Sequence, residues 1–373
     1  MQTYIELSTL ICGFGFNTSL LKLASENKGD GEKKQLYQTA FLITLVSFVF
    51  IYLLLYLLSF LGMISTDPVI LQIFPIYALF VLPLSLQTIQ LAYYQARKKI
   101  KTMAKLQFIV KVISIVFIIV FTFFFKLKGY IFTVVLTSFL AIIIFELGIK
   151  NIRFKTSYIK LNLKLLKNMW RLAGYALIAN IVGMLATTID IYLINYLIRD
   201  RKEVGYYMFA RTIVSVYQLL PFTIQQVAFP FFSEQSSNHK RWHSSYLKYN
   251  KLNHLLVGLV VTGGILLLPV LVKFVFAGKY DRSIYYFLFL SLAWMIKNSN
   301  MMKGTAIMGH GRFDINFHAS FITLILTFPI VFLLIKYYEL NGAIAGMIIG
   351  AVISYITFTY FFHRFNKTLI NGV

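Results

Sequence analysis

Five ionisable residues stand inside long apolar stretches: Lys111, Glu146, Asp190, Arg211 and Lys297. A charge at the middle of a membrane-spanning helix costs about 2.5–3.5 kcal/mol on insertion scales, so such residues are expected to pair, to face a wet cavity or to serve a function. Asp190 precedes the outer end of one apolar stretch by about as much as Arg211 follows the outer start of the next, so an ion pair between them is open. It would act as a gate or coupling-ion site, or as a structural bridge. Lys111 and Glu146, near the inner ends of two consecutive stretches, make a second candidate pair for gating or coupling, although a lysine there can also snorkel to the headgroups. Lys297 lies in Trp294-Met295-Ile296-Lys297-Asn298-Ser299-Asn300, too polar a run to face lipid. Turned to a cavity it would bind an anionic group such as a diphosphate; otherwise it is a structural lysine satisfied by a neighbour. Lys22 closes the first apolar stretch, as a cation at an inward mouth or as an ordinary boundary residue.

Other chemistries lack their residues. No G-x-x-x-x-G-K-[ST] phosphate loop occurs, Cys12 is the only cysteine, and the six histidines are scattered. No cofactor, no metal and no nucleophile–base pattern is expected, and the chain does not read as an enzyme.

The elements that must hold these charges are membrane helices. Of the 373 residues, 58% are hydrophobic and 13% charged, whereas a soluble domain has about 45–50% and about 25%. Apolar runs bounded by charge clusters predict eleven spans: 2–21, 38–62, 68–93, 106–126, 130–149, 170–197, 204–232, 251–276, 283–302, 313–335 and 339–362. Of the 36 basic residues, 24 fall in one set of alternate loops, nine in the other and three inside spans. By the positive-inside rule the richer set, with the C-terminus, is cytoplasmic. The net charge of +23 is thus a topology signal, and nucleic acid is not an expected partner. The inward stretches 22–37, 150–169 and 233–250 mix charge with apolar residues and are expected as amphipathic helices on the membrane surface.

The chain also repeats itself weakly. Leu23-Ala24-Ser25-Glu26-Asn27 followed by Tyr37 matches Phe231-Phe232-Ser233-Glu234-Gln235 followed by Tyr246. If spans 1 and 7 correspond, the fold class is an all-α polytopic membrane protein of two parallel helical lobes, a twelve-helix template lacking its first helix. The lobes are expected at 1–150 and 170–373, with a cytoplasmic linker at 151–169.

Several segments carry a resemblance. Trp170-Arg171-Leu172-Ala173-Gly174-Tyr175, Asp190, Val204-Gly205-Tyr206-Tyr207-Met208-Phe209-Ala210-Arg211, Pro221 and Phe229-Pro230-Phe231-Phe232-Ser233 resemble the seventh and eighth helices of Wzx-type polysaccharide flippases. These belong to the multidrug/oligosaccharidyl-lipid/polysaccharide exporter superfamily. Gly13-Phe14-Gly15-Phe16 to Ala24-Ser25-Glu26 is similar to that family's second helix, and Asn341-Gly342-Ala343-Ile344-Ala345-Gly346 to the start of its last. The resemblance implies movement of undecaprenyl-diphosphate-linked oligosaccharide between the leaflets of a bacterial inner membrane, for surface polysaccharides such as the O-antigen of lipopolysaccharide. It implies membrane lipids, a polysaccharide polymerase and chain-length machinery as partners. It also implies a cationic cavity, for which Lys22, Arg211 and Lys297 could supply the charge. The alternative is a cation-coupled multidrug-type exporter of the same superfamily, which would want acidic groups in its cavity; Asp190 and Glu146 are the only acids expected to be buried.

Overall fold

The computed structural model describes residues 2–26, 29–64, 68–148 and 163–370, and every regular element among them is α-helical. Two compact units result, Met1–Leu177 and Ile178–Val373.

In the first unit, α1 (Gln2–Gly13) and α2 (Phe16–Ser25) form one rod bent by 43°. The bend falls at Phe14 and Gly15, whose φ values are 44° and 72°. Glycine alone adopts such a φ freely, and a side chain at Gly15 would also strike the carbonyl of Ala173. Next comes α3 (Asp30–Phe60), which opens on Asp30 and Glu32, acids that complement the positive end of the helix dipole. Then α4 (Pro68–Ala78) and α5 (Val81–Ala96) follow each other around a short break, four residues after which stands Pro83. Proline lacks an N–H, and its ring clashes with the carbonyl four residues back, which sets the break there. The unit continues with α6 (Ile100–Gly148) and the first part of α7 (Leu163–Leu197).

The second unit holds the rest of α7, then α8 (Arg201–Val216), α9 (Leu219–Glu234), α10 (His239–Val275), α11 (Asp281–Asn298), α12 (Met301–Gly309) and α13 (Phe313–Ile370). Asp200 caps α8 by accepting from the backbone N–H groups of Lys202 (3.0 Å) and Glu203 (3.1 Å). The break between α8 and α9 again lies four residues before a proline, Pro221.

Both α6 and α13 are two helices joined across one non-helical residue: Lys126 (φ 51°, ψ −133°) and Glu339 (φ 50°, ψ −128°). Three residues further on, Gly129 and Gly342 lie so close to the carbonyls of Phe121 and Leu334 that neither site has room for a Cβ. The same residue spacing separates Lys126 from Glu339, Gly129 from Gly342, and the positive-φ residues Lys98 and Gly311. The internal repeat expected from the sequence is therefore written in the backbone. With each broken rod taken as one span and the two kinked helices as pairs, the described helices make up the eleven predicted spans. Among the described residues, six helices are long and apolar enough to cross a membrane, seven with the bent α1–α2 pair. Large apolar side chains such as Phe123 and Phe274, more than four-fifths exposed, suit lipid as their solvent.

The start of α7 belongs to the first unit. The early part of α7 packs on α1 and α2: Ser19 donates to the Met169 carbonyl (3.0 Å), and Trp170 stacks on Phe14. The stretches 22–37 and 233–250 are no separate surface helices, since α2 ends at Ser25, α3 runs unbroken from Asp30 and α10 runs unbroken from His239. Its first turns are anchored by the buried Trp242 and Tyr246, which pack on Phe362. Residues 151–162 of the expected linker lie outside the described residues.

Candidate functional site

The second unit encloses a cavity of about 630 Å³, lined among others by Arg211, Gln218, Trp294, Lys297, Asn300 and Asn316. Two helix breaks shape it. One is the α8–α9 junction at Tyr217 and Gln218; the other is the α11–α12 junction at Ser299 and Asn300. The polar run from Lys297 to Asn300 falls at the second of these junctions.

Asp190 on α7 is 1% exposed and forms an ion pair with Arg211 on α8. Tyr207, one turn before Arg211, donates its hydroxyl to the same carboxylate oxygen at 2.9 Å. The other oxygen, Oδ1, has no hydrogen-bond partner among the described residues. Lys297 is half-buried and lines both this cavity and a smaller one of about 190 Å³ that Asp190 reaches. No ion pair holds it among the described residues. Among the described residues no carboxylate lines the larger cavity, and its wall carries two cations and neutral amides. Such a wall can receive an anion; Trp294 and Gln218 add a ring face and an amide suited to a sugar.

Lys22, the third candidate cation, belongs to the first unit. It is buried and paired with Glu26 at 3.4 Å, one helical turn away. The second unit's cavity therefore brings together Arg211 and Lys297 of the three.

The expected Lys111–Glu146 pair is not formed. Glu146 instead accepts from the Tyr37 hydroxyl and from Gln90 Nε2 (3.1 Å), while Lys111 is exposed. Equal depth on neighbouring spans did not place the two side chains on facing sides.

One buried charge escaped the sequence. Lys303, one residue beyond the end of the predicted span 283–302, is 8% exposed on α12. Its ammonium donates to Asn300 Oδ1 (2.9 Å) and Thr359 Oγ1 (2.5 Å) and lies 4.4 Å from the centre of the Tyr355 ring. The first unit repeats this arrangement in other residues. Gln90 donates to Glu146 and to the Ile142 carbonyl (3.0 Å), and the spacing that relates Lys126 to Glu339 also relates Gln90 to Lys303, Glu146 to Thr359 and Ile142 to Tyr355. Aligning the two halves on Gly129 and Gly342 would have placed Lys303 opposite an intramembrane glutamine.

A family described as "Polysaccharide biosynthesis protein" matches residues 1–285. No curated protein matches the chain in sequence. Among solved structures, the MATE transporter VcmN of Vibrio cholerae superposes with a TM-score of 0.84 at 13% identity, covering 99% of this chain and 87% of its own. A MOP superfamily transporter from Pyrococcus furiosus gives 0.80 at 14% identity, with 98% and 86% covered. An outward-facing multidrug resistance MATE family transporter of the same superfamily gives 0.79 at 12% identity, again with 98% and 86% covered. The chain thus belongs to the polysaccharide biosynthesis protein family and has the fold of the membrane transporters of the MOP superfamily.

Proposed function

We propose that this protein flips a lipid-linked oligosaccharide, carried on an undecaprenyl-diphosphate type of anchor, from the cytoplasmic to the outer leaflet of the bacterial inner membrane by alternating access. Its C-terminus lies in the cytoplasm, the side that the excess of basic residues in alternate loops supports. The translocated unit then passes to a polysaccharide polymerase and chain-length machinery. The observation that carries the reading is the sign of the cavity. Arg211 and Lys297 line it; Arg211 balances the nearby Asp190, which also holds the Tyr207 hydroxyl, so the charge of Lys297 is in excess. An Arg or Lys against a phosphate oxygen makes a charge-assisted hydrogen bond, roughly twice as strong as a neutral one.

The second reading is export of cationic small molecules, favoured by likeness in fold to a multidrug resistance MATE transporter. A cationic cargo would meet like charge in this cavity. The Pyrococcus furiosus protein, for which reverse polarity of the binding pocket suggests a different function, offers a precedent for a change of function on one fold. The test is complementation of a flippase-deficient strain. The unaltered chain restores surface polysaccharide; Arg211→Ala and Lys297→Ala insert in the membrane but restore none. Full export by both variants overturns the reading.

A further inference from the structure

We infer that Asn300 is a cargo-binding residue of the second unit's cavity, held by Lys303 so that its amide N–H₂ meets an anionic phosphate oxygen. The inference rests on the flippase reading and adds a residue pair to it.

Asn300 lines the cavity, is 4% exposed, and has no hydrogen-bond partner for its Nδ2. A buried donor left unbonded is unfavourable, so an idle one in a residue that lines a cavity is a donor waiting for an acceptor. Its direction is fixed by chemistry. An ammonium donates and never accepts. With Lys303 Nζ 2.9 Å from it, the amide atom facing the lysine must be the oxygen. The N–H₂ group must then face the other way. Lys303 itself cannot turn, because Thr359 takes a second proton and the Tyr355 ring faces the charge. Asn300 therefore adds a neutral donor to the guanidinium of Arg211 and the ammonium of Lys297. Three donors matched to acceptor-only oxygens favour a diphosphate over a cation or a neutral glycan alone. The internal repeat supports a role beyond packing. Where the second unit has Lys303 the first has Gln90, which ties the corresponding helices together without any ammonium.

That correspondence supplies the decisive variant. Lys303→Gln keeps a side chain that the repeat accommodates in this place, yet an amide can offer either its oxygen or its nitrogen, so Asn300 is free to flip. Lys303→Arg keeps a donor-only group. Binding of farnesyl diphosphate to the detergent-solubilised full chain is measured by calorimetry, with thermal unfolding of each variant alongside. Wild type and Lys303→Arg should bind alike; Lys303→Gln and Asn300→Ala should each weaken binding about tenfold, the loss of one hydrogen bond to a charged group, at unchanged unfolding temperature. Asn300→Asp, which puts a carboxylate oxygen where the N–H₂ stood, should weaken it further. Unchanged affinity in Lys303→Gln and Asn300→Ala, with wild type binding, overturns this inference and leaves the flippase reading standing. Loss of affinity in Lys303→Arg in step with lost thermal stability overturns it too, since Lys303 is then only a structural tie. Failure of the wild type to bind the diphosphate removes the flippase reading and this inference together.

Discussion

Arg211 on α8 reaches across to Asp190 on α7 and pairs with the same carboxylate oxygen that the Tyr207 hydroxyl occupies. A buried pair of this kind is sensitive to the loss of one member, because the survivor is left as an uncompensated charge. Arg211→Ala should destabilise the solubilised protein by about 3–5 kcal/mol. The double variant Asp190→Ala/Arg211→Ala should be more stable than Arg211→Ala alone. Thermal unfolding of the three proteins measures both; a double variant less stable than Arg211→Ala would show that the two residues are not coupled.

Lys126 and Glu339 turn their hairpins with a φ near +50° that only glycine adopts without strain. Lys126→Gly and Glu339→Gly should each stabilise the protein by about 1 kcal/mol, since strain of that kind costs about 1–3 kcal/mol and the added chain entropy offsets part of the gain. Gly129→Ala and Gly342→Ala should do the opposite, as the methyl group meets the carbonyls of Phe121 and Leu334. Melting curves for all four should show two matched pairs, one from each half of the repeat.

Glu146 is held by Tyr37 and Gln90, so Lys111 carries no share of its stability. Lys111→Ala should change unfolding by less than about 0.5 kcal/mol, as for an exposed substitution. Tyr37→Phe should cost about 1–3 kcal/mol by removing a donor from the carboxylate. Equal losses from Lys111→Ala and Tyr37→Phe in denaturation experiments would contradict this assignment.

The span pattern was legible because charge clusters bracket each apolar run, and alternate clusters differ in their count of Lys and Arg. Relative depth was legible too: counting from the outer ends placed Asp190 and Arg211 level, and they meet. What depth does not give is the direction in which a side chain leaves its helix. Glu146 and Lys111 are close in depth, yet Glu146 turns to Tyr37 and Gln90. Lys303 was hidden for another reason. The polar run ending at Asn300 resembles the end of a span, but Ser299 (φ −59°, ψ −22°) and Asn300 (φ −91°, ψ −6°) keep right-handed helical geometry, so α12 carries Lys303 onward into the core. The fit of Gly15 against Ala173 is a contact between residues far apart in sequence that no local pattern announces.

The central claim is that the cations lining the second unit's cavity select an anionic lipid-linked cargo. Purified protein in proteoliposomes, with a fluorescent polyprenyl-diphosphate-linked oligosaccharide in one leaflet and a membrane-impermeant quencher outside, measures this directly. The account predicts leaflet exchange by the unaltered chain, at least tenfold slower exchange by Arg211→Ala and Lys297→Ala, and no uptake of a lipophilic cation such as tetraphenylphosphonium. Cation uptake without exchange of the diphosphate-linked glycan would contradict it.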